Sequence, residues 1–294
     1  MALALLVAGL VAAPALAFEG TTGGLSLGAA ALLGVVQGIT EFLPISSDGH
    51  LALGQRLLGI DPASGGHRFT ITVHAGTLLA VVITYRRDLV DLARAALHPA
   101  EQTDTRHLLL AMLVASVPLG LVLLPGVEAF VIATESSIRF VGVALWATAL
   151  ALWLGFRHDR VHGPREPGRL PTLRQASIIG LAQVTAILPG VSRSGTTIAT
   201  ALGLGLDRAV AARFSFLISV IAVSGAVAKE GLAVAMAPVS DAAIDPAPYL
   251  VGFVTSFVVG IAALRALLVL VGRGQVRGFI VYLAIVGGVA VALG

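Results

Sequence analysis

Two short polar islands interrupt an otherwise apolar chain, and their residue types suit the binding and turnover of an anion. The first runs from Gln37 to Leu51, Q-G-I-T-E-F-L-P-I-S-S-D-G-H-L. Gln37 and Glu41 stand four apart, so on a helix they share a face. Their oxygens suit a hard divalent cation such as Mg2+, which takes few protein ligands and keeps water and phosphate around it. The plainer use of such a pair is an interhelical hydrogen bond. A helix that starts after Pro44-Ile45-Ser46-Ser47 presents unsatisfied N–H groups and its positive dipole end, both favourable to an anion. Ser46 or Ser47 can serve as its N-cap. A cap needs no histidine beside it, however. His50 is a candidate general base, proton donor or nucleophile, and Ser47 is the hydroxyl it would activate.

The second island, Pro189-Gly190-Val191-Ser192-Arg193-Ser194-Gly195-Thr196-Thr197, opens another helix. Arg193 stands out, because a buried guanidinium needs an anionic partner and matches phosphate bidentately. Its structural use would be an ion pair with Glu41. His74 and Thr77 are expected on a spanning helix at the cavity's edge, most simply as interhelical hydrogen-bonding residues. His67 and Arg68 belong to a membrane edge, and the remaining histidines to Arg-rich, solvated loops. Trp146 and Trp153 are read as packing or interface anchors.

The surrounding chain is built to bury these groups. Of 294 residues, 57% are hydrophobic and only 12% charged, where a soluble protein carries roughly one quarter charged residues. The composition predicts an all-α polytopic membrane protein. Cysteine is absent, which excludes disulfides, thiolate catalysis and zinc–thiolate sites. The net charge of +3 sets topology rather than binding nucleic acid, since no basic run is interleaved with aromatics.

Residues 1–24 comprise an apolar run and a polar break. Ala15-Leu16-Ala17 matches a signal-peptidase site, yet no Lys or Arg precedes Arg56, so both a signal peptide and an extra helix are admissible. Residues 25–43 and 49–58 then read as two short helices broken at Pro44, the mark of a re-entrant hairpin. Residues 173–188 and 197–206 read as a second hairpin around the second island. Spans are expected at 69–85, 108–124, 138–156, 214–228, 248–271 and 278–293, each near the ~20 residues a bilayer requires.

Basic residues crowd alternate connections: Arg86, Arg87, Arg94 and Arg106; Arg157, Arg160, Arg165, Arg169 and Arg174; Arg273 and Arg277. These loops are therefore cytoplasmic, and the first hairpin opens to the extracytoplasmic side. Gly34, Gln37, Ser46 and Gly49 recur at one constant offset as Gly180, Gln183, Ser192 and Gly195. The expected architecture is six transmembrane helices and two re-entrant hairpins in a single membrane domain, 25–294. Its two inverted repeats would span 25–157 and 173–294, with a site near the midplane where they meet.

At these residues the chain resembles the undecaprenyl-diphosphatase family, bacterial membrane phosphatases also called bacitracin-resistance proteins. The family's (E/Q)xxxE motif matches Gln37 to Glu41, its P-x-S-S-x-G-H segment matches Pro44 to His50, and its PG-x-S-R-S-G-x-T motif matches Pro189 to Thr197. The resemblance implies hydrolysis of undecaprenyl diphosphate to the monophosphate and inorganic phosphate in the bacterial inner membrane, recycling the lipid carrier of cell-wall synthesis. It implies a polyprenyl diphosphate substrate among membrane lipids, and is compatible with a homodimer. A transporter or lipid flippase is the alternative, since inverted repeats and broken helices also build carriers.

Under this resemblance Glu41 and Gln37 would hold Mg2+ or Ca2+ against the diphosphate, and Arg193 with Ser46, Ser192, Ser194 and Thr196 would bind phosphate. Ser47, His50 or a water activated by His50 would be the nucleophile. Gln37 stands where many members carry Glu, and Asp48 where Thr or Ser is usual. Asp48 is therefore expected to replace part of the missing negative charge at the metal. Asp48→Thr should shift the Mg2+ concentration needed for half-maximal phosphate release upward, and an unchanged metal titration refutes this.

Overall fold

A computed structural model of the chain describes residues 25–60, 66–98, 103–135, 137–163, 165–236 and 245–294. The segment expected to be a signal peptide or extra helix, 1–24, lies outside them. Among the described residues all regular structure is helical. The first hairpin consists of α1 (Leu27–Thr40) and α2 (Ser47–Leu57), followed by α3 (Gly66–Thr84), α4 (Arg86–Leu97) and α5 (Thr103–Ser116). A 3-10 turn, Val117–Leu123, extends α5 and leads to α6 (Val127–Glu135) and α7 (Ile138–His162). The second hairpin is α8 (Leu173–Thr185) and α9 (Arg193–Gly203), and α10 (Arg208–Met236), α11 (Ala247–Gly272) and α12 (Arg277–Leu293) complete the chain.

Local chemistry explains where the hairpin helices begin and end. Ser26 caps α1 by accepting from the Ala29 N–H at 3.2 Å. The helix stops three residues sooner than expected, at Thr40. Pro44 has no N–H to continue the ladder and disfavours helical backbone at the residue before it. Thr172 and Gln175 form a reciprocal capping box at the start of α8. At α9, the Ser192 side chain accepts from the Gly195 N–H at 3.2 Å.

Four stretches are long and apolar enough to cross a bilayer: Asp104–Leu123, Ile138–His162, Arg208–Ala233 and Ala247–Gly272. The bent pair α3–α4, kinked by 77°, makes a fifth if counted as one span. One departure from expectation is that part of the Arg-rich connection after α3 is itself helical. In α4 Leu92 and Ala95 are buried while Arg86, Arg87 and Arg94 are exposed, as on a helix lying along an interface.

Small residues let these helices approach closely, which matters because lipid supplies no hydrophobic force between them. Gly34 and Gly38 of α1 lie against the backbone of α11 at Gly252, Ser256 and Gly260. Gly142 of α7 meets Gly287 of α12, Gly155 of α7 meets Ala199 of α9, and Gly180 of α8 meets Ala115 of α5. The first arm of each hairpin therefore packs on a helix from the opposite half of the chain: α1 on α11, α8 on α5. Ion pairs join the ends, Asp159 of α7 to Arg208 of α10 at 2.7 Å and Asp88 of α4 to Arg213 of α10.

A Cβ at Gly38 would lie 2.9 Å from both the Ser256 carbonyl oxygen and the Val259 Cβ. Gly38→Val is expected to destabilise the protein by about 1–3 kcal/mol through overpacking, read as a lowered melting temperature of the purified protein in detergent.

Candidate active site

Glu41 sits at the C-terminal end of α1 and organises the site. Its Oε1 accepts from Arg193 Nη2 at 2.5 Å, and its Oε2 accepts from Ser47 Oγ at 2.8 Å and Gln37 Nε2 at 3.1 Å. The Gln37–Glu41 spacing brings one helical turn together, whereas Arg193 arrives from the second hairpin. Glu41 is 8% exposed and Gln37 fully buried, so each of these bonds acts where water competes weakly. The ion pair expected as Arg193's structural use is present. Arg193 Nη1, however, is buried without a partner, leaving one face of the guanidinium for an anion.

Two helix N-termini flank this cluster, and they are built differently. Ser192 has ordinary extended backbone (φ −80°, ψ 121°), and its N–H donates to Thr148 Oγ1 at 3.1 Å. Gly190, at φ +95°, makes the preceding turn against the Val141 carbonyl, where a side chain would not fit. Ser46 has φ +70° and ψ 100° and makes no side-chain cap. Among the described residues it alone has positive φ without being glycine, a conformation costing on the order of 1–3 kcal/mol. Ser47 follows directly, at the first position of α2.

The cluster forms the polar end of a cavity of about 710 Å³. Glu41, Ser46, Ser47, Asp48, His74, Ser192 and Arg193 line that end. Leu119 and Leu123 of the 3-10 turn, Ile187 after α8, and Ile221 and Ala226 of α10 line the apolar remainder. Ser194 and Thr196, expected to bind phosphate, are turned from it. Ser194 Oγ lies 3.3 Å from Ser192 Oγ, and Thr196 Oγ1 donates to the Ser192 carbonyl at 2.9 Å. Both side chains fix the turn of α9, and Val191, Ser192 and Arg193 are the members of that island facing the cavity.

His50 does not join the cluster. Its Nδ1 lies 2.7 Å from the Ser46 carbonyl oxygen and its Nε2 lies 2.5 Å from the Tyr282 hydroxyl of α12. The expected meeting of Glu41, Ser47 and His50 with Arg193 therefore holds for three of the four. Residues 47 and 50 stand three apart at the start of a helix, but Ser47 turns to Glu41 while the imidazole turns toward α12.

His74 takes the cavity position instead. Its Nδ1 lies 2.8 Å from the Thr70 carbonyl, and its Nε2 lies 3.3 Å from Asp48 Oδ1 and 3.8 Å from Glu41 Oε2. The sequence places it on a spanning helix at the cavity's edge, most simply as an interhelical hydrogen-bonding residue. The usable signal was a histidine four residues after Thr70 on one face of an apolar helix. Gln183, the repeat of Gln37, also lines the cavity, 2% exposed, with both amide atoms unpartnered.

Among the described residues no three His, Asp or Glu converge as a metal cage. What the site offers is Glu41, the Asp48 carboxylate and Gln37 Oε1, a buried acceptor with no hydrogen-bond donor. This sparse oxygen set fits a hard cation that keeps water and phosphate as its other ligands.

Fold and site together define a multi-pass helical membrane protein with a Glu–Ser–Arg cluster at one end of a largely apolar cavity. The family model described as Bacitracin resistance protein BacA matches residues 30–289, and the chain belongs to that family. An undecaprenyl-diphosphatase of Desulfosudis oleivorans is 42% identical over 279 residues, covering 90% of this chain and 97% of that protein. The undecaprenyl-diphosphatase of Korarchaeum cryptofilum is 40% identical, covering 88% and 95%. The undecaprenyl-diphosphatase 3 of Bacillus anthracis is 34% identical, covering 87% and 93%.

Removing one partner of a buried ion pair leaves the other charge uncompensated. Arg193→Ala should therefore cost about 3 kcal/mol of stability. Adding Glu41→Gln in the same chain should recover much of that loss, as read by denaturation of the single and double variants in detergent.

Proposed function

We propose that this protein hydrolyses undecaprenyl diphosphate to undecaprenyl phosphate and inorganic phosphate, recycling the lipid carrier of cell-wall synthesis and giving bacitracin resistance. The names of its relatives support the substrate. The observation that carries the chemistry is the Ser47–Glu41–Arg193 chain, with contacts of 2.8 and 2.5 Å, at the polar end of the cavity. The diphosphate lies at that end and the first prenyl units against the apolar walls.

Phosphoryl transfer is mostly positioning and charge stabilisation. Arg193, with Nη1 already free of partners, receives the non-bridging oxygens of the terminal phosphate. Ser47 Oγ attacks the terminal phosphorus, and its proton passes to Glu41 Oε2. The bond from that phosphorus to the bridging oxygen breaks, and undecaprenyl phosphate leaves with the electron pair. Water then attacks the phosphoserine, phosphate departs, and Ser47 recovers its proton from Glu41. Mg2+ or Ca2+, held by Glu41, Gln37 Oε1 and Asp48, would neutralise diphosphate charge.

The same arrangement supports a finer architecture. The 19 residues of α3 and 17 of α12 fall within the roughly 17–25 that cross a bilayer, which supports six spans. The exchanged packing of α1 on α11 and α8 on α5 supports two inverted repeats, 25–157 and 173–294. Arginine placement supports an inner-membrane site open to the extracytoplasmic side.

Purified protein in detergent should release phosphate from a prenyl diphosphate, and Glu41→Ala, Ser47→Ala and Arg193→Ala should each lower the rate by at least about a hundredfold. A folded wild-type protein that binds the lipid without releasing phosphate would instead be a carrier.

A further inference from the structure

His50 and Tyr282 form a partly buried polar contact that takes no part in the hydrolysis described above. The Ser46 carbonyl can only accept a hydrogen bond, so at 2.7 Å the proton of the neutral imidazole is on Nδ1. Nε2 then carries a lone pair, and the Tyr282 hydroxyl donates to it at 2.5 Å. The two rings also stack, with centroids 5.7 Å apart and planes inclined by 21°. Both ring nitrogens are thus committed, one to the hairpin turn and one to α12. Ser47 Oγ gives its hydrogen bond to Glu41 instead.

The residue that His50 holds is the strained one. Where other helices begin, the cap carbonyl takes a backbone N–H four residues on: Ser26 from Ala30, Ser137 from Val141, Thr172 from Ala176, Ser192 from Thr196. Ser46 has φ +70°, and its carbonyl takes the imidazole of the residue four on. Its own side chain makes no cap, unlike that of Ser192 at the equivalent turn of the second hairpin. A non-glycine residue stays in such a conformation only where its surroundings impose it, and the His50 ring is a contact able to do so.

We propose that Tyr282 is a positioning residue for the reaction. Its hydroxyl fixes the His50 ring, the ring fixes the Ser46 carbonyl, and the twist at Ser46 directs Ser47 toward Glu41 and the phosphate. The last helix of the chain thereby holds the nucleophile of the first hairpin, and His50 acts through the backbone rather than by accepting a proton. The proposal rests on Ser47 being the nucleophile, and wild-type phosphate release is the control for that reading.

The test compares steady-state kinetics on a prenyl diphosphate for Tyr282→Phe, His50→Ala and His50→Asn. Tyr282→Phe removes one oxygen, and kcat should fall by about tenfold with KM within about twofold of wild type and an unchanged melting temperature. An asparagine amide can still donate to the Ser46 carbonyl but cannot serve as a base. His50→Asn should therefore exceed His50→Ala by at least about tenfold in kcat. A wild-type kcat for Tyr282→Phe overturns the proposal by itself, as does a loss that appears in KM alone. An Asn variant as slow as the Ala variant also overturns it, because the ring would then be needed for proton transfer. A wild type that releases no phosphate removes the hydrolase reading and this proposal with it.

Discussion

A carboxylate buried at the end of a broken helix must be neutralised, and Glu41 is neutralised from the far half of the chain. Its pairing with Arg193 bridges the two hairpins, and its second oxygen gathers Ser47 and Gln37. Everything nearby is arranged so that this one group can exist away from water. The turns bring two helix N-termini to the same place, α1 stops where its last carboxylate faces the cavity, and α9 starts with the guanidinium. The cost of such a buried pair is considerable, and pairing alone rarely recovers it. A site that stabilises it while leaving Arg193 Nη1 without a partner is better suited to receive an anion than to hold helices together.

Broken backbone inside a membrane protein is tolerable only where its polar groups are answered within the protein. The two hairpins answer them differently. In the second, hydroxyls do the work: Thr148 takes the Ser192 N–H, while Ser192, Thr196 and Thr197 satisfy the first turn of α9. In the first, the Ser46 carbonyl is answered by His50, which is anchored in turn to Tyr282. The hairpins share a pattern of residues but not a geometry, and the strained one carries Ser47.

Much of this was legible in the residues. Period, length and the proline break located the helices, although the one expected at 214–228 runs from Arg208 to Met236, because helix-forming apolar runs and their interruptions are local properties. The partnership of Glu41 with Arg193 was also accessible, since two lone ionisable groups in so apolar a chain need each other. His74 lines the cavity at whose edge the sequence places it, while His50 turns away to Tyr282. Motif proximity favoured His50, but the direction of a ring at the start of a helix depends on the twist of Ser46 and on Tyr282, far away in sequence. His74 sits alone in an apolar run, and only the folding of α3 beside the first hairpin brings it to Asp48 and Glu41. The Arg-rich connection after α3 concealed a helix because its charges spoke for topology more loudly than its buried Leu92 and Ala95 spoke for structure.

The sequence by itself determined the class of protein, the two polar islands and the residue types at their centre, since composition and local spacing are enough for these. Tertiary structure decided which side chains meet. Ser194, Thr196 and His50 went to the support of turns, while His74 and Gln183 came to the cavity. Orientation at a helix end is set by contacts with other helices, and those contacts depend on glycines such as Gly155 and Gly180 that let backbones touch. The stretch from Gln37 to Leu51 therefore contains most of the chemistry, but its aim is set by Arg193 and Tyr282.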